Sequence, residues 1–192
     1  MADSNSIAFS CNCGQVQGHI APATARSGTH AICHCRDCRA ADLYLDQPDP
    51  NPAGVDLFLT TPDTVHVEAG ADRLAVLRLG PKGPLRWYAS CCKAPLFTTL
   101  PRPGIPFVSV RLERLQDSTP LGPVLAHSHV SQPDGTTKHK GAGVLAWRLL
   151  TRMGAARLSG RWRQTPFCDP QTGIPTAPVH ILNKQERAAL YP

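Results

Sequence analysis

A chain of 192 residues can bury roughly 70% of the surface its unfolded form exposes, so metal is not needed merely to hold it together. Its 19 prolines and 15 glycines, spread along the length, argue for many short elements joined by turns and against a helix bundle. The net charge of +6 suits an acidic ligand or partner, whereas the most apolar stretch, residues 141–150, is too short to span a bilayer and contains Arg148.

The opening MADSNSIAFS has no basic region followed by an apolar run, so the expectation is a soluble, cytoplasmic protein with no membrane partner. In that reducing setting, eight cysteines point to metal ligation or redox chemistry before disulfides. Strands are expected at 7–9 and 15–20, on either side of the Cys11-Asn12-Cys13-Gly14 turn, and again around 29–32. A short helix over 39–45 precedes a loop at 47–52 whose spaced prolines cannot continue it. A meander follows, with strands at 55–59, 64–68, 74–79, 85–88 and 107–111 and a hairpin connection at 81–84. A helix is expected over 144–153 with Gly154 as its stop, and another over 184–190, capped by Asn183 and Glu186. The change of character near Gly135 divides the chain into a mainly β domain, 1–134, and an accessory segment, 135–192, with one or two helices.

Seven of the cysteines fall into three clusters: Cys11 and Cys13; Cys33, Cys35 and Cys38; Cys91 and Cys92. Tetrahedral zinc accepts several soft thiolates, and short spacings let one turn present two of them, so one or two zinc ions are the expected cofactor, with an iron–sulfur cluster as the lesser alternative. CHCRDCR, residues 33–39, is compatible with a closed knot or an open site. His34, in the middle of its C-x-C, is expected to point away from a metal. Cys168 stands apart and reads as a small buried hydrophobe.

The segments CNCGQVQG (11–18), CHCRDCR (33–39) and RWYASCCKAPL (86–96), in that order and spacing, resemble the glutathione-dependent formaldehyde-activating enzyme (GFA) family. The resemblance covers about residues 7–130. It implies a small, twisted β fold whose sheets lean together like a tent, and two zinc sites. One site joins the opening C-x-C to a later cysteine pair and is structural. The other uses Cys33, Cys35 and Cys38 and keeps a position for water or a substrate thiol, so these are the expected catalytic residues. Arg36 and Arg39 would hold carboxylates of a glutathione-like ligand, surface ion pairing being the plain alternative. Leu121-Gly122-Pro123-Val124-Leu125-Ala126-His127 resembles the family's late segment ending in histidine, which makes His127, with His129 beside it, a candidate for lining the pocket.

The third block departs from the family's C-x-x-C, because its earlier cysteine falls on Ala89 and Lys93 replaces the usual glycine. Cys91 can stand in for Ala89 only if the chain turns sharply, since neighbours in an extended strand face opposite ways. The implied activity is that of a zinc-dependent carbon–sulfur lyase acting on a thiol adduct of a small aldehyde. The alternative is a noncatalytic zinc module that binds nucleic acid or an acidic partner through residues 138–163, which hold seven basic residues and no acidic one.

Overall fold

Short alternating runs and frequent turns produce a mainly β architecture in a computed structural model that describes residues 5–191; the first four residues of the opening read for a leader, and Pro192, lie outside the described residues. In chain order the elements are β1 (Ile7–Ser10), β2 (Gln17–Ile20), β3 (Thr29–Cys33), α1 (Arg36–Tyr44), β4 (Val55–Thr60), β5 (Val65–Ala69), β6 (Leu74–Arg78) and β7 (Leu85–Ala89). They continue with β8 (Pro95–Thr99), β9 (Val108–Arg111), β10 (Ala126–Ser131), β11 (Thr137–Lys140), α2 (Ala142–Leu158), β12 (Val179–Ile181) and α3 (Lys184–Ala189). β1, β2 and β5 form a three-stranded sheet, and the other strands form a nine-stranded sheet in the order β11-β10-β3-β4-β9-β8-β7-β6-β12. Pairing is antiparallel except where β10 joins β3 and β12 joins β6.

Strands buried on both faces read as nearly continuous apolar runs, and the central strands β4, β7, β8 and β9 of the large sheet are mostly buried in that way. On one face Phe58, Val76, Trp87, Val108 and Val110 meet Ile7, Phe9, Ile20 and Val65 from the small sheet, so the two sheets close on one core. Trp87 is fully buried and its indole Nε1 donates to Thr99 Oγ1 at 2.9 Å, which satisfies the one polar atom of the ring. Helices cover parts of the other face. α1 lays Ala40 and Ala41 against Leu77 near one edge. α2 lays Leu145 and Leu149 against Ala31, Leu59 and Ala126 near the other. The strands between the two helices form the floor of a cavity.

Several elements differ from the sequence expectation. α1 begins at Arg36 instead of 39 because Cys35 caps it, its sulfur accepting from the Cys38 amide. α2 does not stop at Gly154, beside which a side chain would meet open space; it runs on to Leu158, and the left-handed Gly160 (φ 79°) follows its last residues. β8, β10, β11 and β12 carry weak patterns: β8 starts on proline, β10 is rich in His and Ser, β11 is wholly exposed, and β12 has three residues. α3 forms with the Asn183–Glu186 capping box.

Gly135 sits in the turn between β10 and β11, inside the large sheet, and the chain beyond it adds β11, α2 and β12 to the same structure. Phe167 enters the main core, with its ring centroid 5.1 Å from that of Trp87 and 5.3 Å from that of Phe97. Phe167→Ala should therefore destabilise the whole chain by about 3–5 kcal/mol in a single denaturant transition. A second, separate transition, with the first unmoved, would show residues 135–192 to be an independent unit.

Candidate functional site

The β1–β2 and β7–β8 turns bring four thiols together. Cys11 and Cys13 flank the first turn, where the Gly14 amide donates to the Cys11 carbonyl and the Val16 amide donates to the Cys11 sulfur at 3.3 Å. In the second, the Cys92 amide donates to the Ala89 carbonyl and Lys93 adopts a left-handed φ of 56°, the conformation that favours glycine. That reversal is the sharp turn that adjacent cysteines need. Cys91 lies 3.3 Å from Cys13 and 3.9 Å from Cys11, sulfur to sulfur, while Cys11 and Cys13 are 3.6 Å apart. These three sulfurs, with that of Cys92, lie within 4.8 Å of one another. Arg114 links the two turns by donating to Asn12 Oδ1 and to the Pro95 carbonyl.

The second group is built across the end of β3 and the start of α1. Cys33 ends the strand, Cys35 is the helix N-cap and Cys38 stands in the first turn, and their sulfurs also lie within 4.8 Å of one another. Cys35 is the natural thiolate of the three: donation from Cys33 and Cys38, then from the Cys38 amide, overcomes burial and brings its pKa down to about 2. His129 contributes a smaller favourable interaction. Cys33, held as the donor to Cys35, is pushed up to about 11, and Cys38 is raised by its bonds to both partners and by burial.

The four-thiol group divides in the same way. Burial opposes the ionisation of Cys11, but the Val16 amide and the neighbouring thiols prevail and bring its pKa to about 6. Desolvation, then the bonds to Cys13 and Cys11, push Cys91 up to about 12. Sulfurs this close cannot all ionise unless a cation offsets their charge, and that is the chemistry a soft divalent metal supplies. Both sets are suited to a metal ion: four thiols match a closed tetrahedral site, and three match a site with one position free.

His34 is not among the ligands. Its Nε2 meets His127 Nδ1 at 3.4 Å and the two rings stack, so His127 is engaged with His34 and does not line the cavity. His129 has a left-handed φ of 59° and packs edge-on against His139. Cys168 is half-buried and belongs to neither thiol group.

Cys33, Cys35 and Cys38 border a cavity of about 290 Å³ between α1, α2 and the large sheet. Its walls are mainly apolar, with Leu57, Leu59, Phe107 and Leu145 prominent. Arg36 and Arg39, expected to bind substrate, do not line it. Arg39 is held by Asp49 through contacts of 2.8 and 3.0 Å, and Arg36 lies over the Tyr191 ring at 5.2 Å. The cavity's arginines are Arg86 on β7 and Arg111 on β9. Arg86 lies within the quoted RWYASCCKAPL block, and a signal was present: an arginine between Leu85 and Trp87 in a strand apolar on both sides.

These features define a two-sheet β protein equipped with two thiol clusters able to hold a metal, one of them opening on a cavity. The family of unknown function DUF6151 matches residues 3–179, and the chain belongs to that family. No curated protein matches it. Among the described residues, no helix is long and apolar enough to cross a membrane.

Proposed function

We propose that the protein is a zinc-dependent carbon–sulfur lyase-like enzyme that makes and breaks the adduct of a small-molecule thiol with a small aldehyde. The observation that carries this reading is the three-thiol set bordering an apolar cavity while a separate four-thiol set is complete without it. The resemblance of the three cysteine blocks to the GFA family points the same way. Zinc held by Cys33, Cys35 and Cys38 would supply the positive charge that keeps a substrate thiol ionised near neutral pH. In the addition, the thiolate sulfur gives an electron pair to the aldehyde carbon, the C–S bond forms, and the carbonyl oxygen takes a proton from solvent. The reverse step returns thiol and aldehyde. The apolar cavity walls would hold the hydrocarbon part of the substrate against the sheet.

The nucleic-acid alternative is less well supported because much of the basic run is spent within the molecule. Arg148 donates to the Ala25 carbonyl, Arg152 to the Gly28 carbonyl and Thr29 Oγ1, and Arg161 to Asp63. Arg157 and Arg163 flank the Trp162 ring. Metal analysis should return about two zinc per chain, and the spectrum of cobalt-substituted protein should change on adding a small thiol. A spectrum indifferent to thiols, together with salt-dependent DNA binding, would replace the enzyme with the noncatalytic module.

A further inference from the structure

We propose that the cavity beside Cys33, Cys35 and Cys38 takes a ligand with an apolar body and a single carboxylate, and that Arg86 receives the carboxylate. The proposal rests on reading those thiols as an open metal site, and it names the thiol that site takes: a mercapto acid with a hydrocarbon body, in preference to a polyionic peptide such as glutathione.

Arg86 is only 8% exposed and lines the cavity. A buried guanidinium needs partners for its donors and a counter-charge, yet Arg86 Nη1 is buried with no hydrogen-bond partner. The nearest carboxylate, that of Asp37, is 3.9 Å from Nη2, beyond hydrogen-bond distance. Asp37 is itself half-exposed, and its Oδ1 accepts from the Tyr191 hydroxyl at 2.6 Å. The other charged groups of the cavity are already matched: Arg111 donates to Asp42 at 2.8 Å and to Glu113 at 3.1 Å. The cavity therefore offers one cation lacking a close partner and no second one to receive another carboxylate.

The sheet explains why Arg86 faces this way. On β7, Leu85 and Trp87 enter the main core, so Arg86 between them projects to the opposite face, in register with Thr98 and, through it, Ser109. Thr98 and Ser109 also line the cavity and provide neutral hydroxyls beside the arginine. Around them the surface is apolar. Asp37, which also lines the cavity, could meet the ammonium group of glutathione, but the second of its two carboxylates would have no cation left there. A hydrocarbon chain with a thiol at one end and a carboxylate at the other brings no second carboxylate.

The test uses mercaptohexanoate and mercaptohexanol, which differ only in the carboxylate. Each is titrated calorimetrically into zinc-loaded protein, and the cobalt-substituted protein reports whether the thiol reaches the metal. Mercaptohexanoate is expected to bind at least about tenfold more tightly than mercaptohexanol, and more tightly than glutathione. Arg86→Gln should abolish the difference between acid and alcohol while leaving alcohol binding unchanged. Equal binding of acid and alcohol to the wild type, tighter binding of glutathione, or persistence of the acid preference in Arg86→Gln would overturn the proposal. The wild-type comparison needs no variant, so it stands even if Arg86→Gln does not fold. If thiols change the cobalt spectrum with no preference for the acid, the open metal site stands and only the Arg86 assignment falls. If no thiol changes it, both fall.

Discussion

Replacing Cys91 by serine should lower the bound metal from two ions to one and the stability by at least about 3 kcal/mol, or roughly 6–12 °C in melting temperature. Cys91 is a close neighbour of both Cys11 and Cys13, so its loss breaks the four-thiol set between the β1–β2 and β7–β8 turns and leaves Cys92 and Arg114 to join them. Those turns belong to different sheets, and a metal held between them restrains the unfolded chain across some eighty residues of sequence. The core that joins the sheets remains, so weakening, not complete unfolding, is expected. Metal content and thermal melts, before and after chelation, measure the effect. Chelated wild type should melt close to the variant, since both have lost this ion. An unchanged metal count in Cys91→Ser would assign the first site to Cys11, Cys13 and Cys92 alone.

Cys35→Ser should have the opposite balance, with turnover of the thiol–aldehyde adduct down by at least about a thousandfold (about 4 kcal/mol) and the fold nearly intact. The reason is local. Cys35 is the N-cap of α1, and serine is among the best residues at that position, so the helix keeps its cap while the ligand set loses its most acidic thiol. Exchange between adduct and free thiol followed by NMR reads the activity, and near-UV circular dichroism reads the fold. Loss of tertiary signal in this variant would make CHCRDCR a structural knot. Full activity would remove Cys35 from the chemistry.

The contrast between these variants shows what the sequence could disclose. Ligation by a C-x-C or C-x-x-C spacing is a local property, and both thiol groups were legible from spacing and order. Whether Cys91 could join Cys92 was not, because it depends on the left-handed turn at Lys93, a residue type that rarely adopts one. The mainly β character was legible from short runs and prolines, but β10 and β11 were not: β10 pairs with β3, distant in sequence, His127 with Ile32 for example, and β11 is exposed and pairs only with β10. The cavity was the least legible feature. It arises where α1 and α2 leave a strip of sheet uncovered, so arginines near the cysteines in sequence drew attention away from Arg86, which is near them only in space. For the basic run, likewise, sequence shows the charge and not the carbonyls of Ala25 and Gly28 or the Asp63 carboxylate that three of its arginines meet.

The alternation along β7, β8 and β9 has a consequence for how ligand preference can diverge among relatives. Positions 86, 98 and 109 belong to the cavity wall and not to the main core, while 87, 97 and 110, one step away, pack between the sheets, Trp87 and Phe97 also reaching the cavity. If Arg86 receives a carboxylate, substitutions at the first set would exchange that basic floor for a neutral or acidic one while the core positions keep their residues. A change at the second set would shift the floor and the fold together. One strip of strands thus turns polar side chains to the cavity and apolar ones to the core.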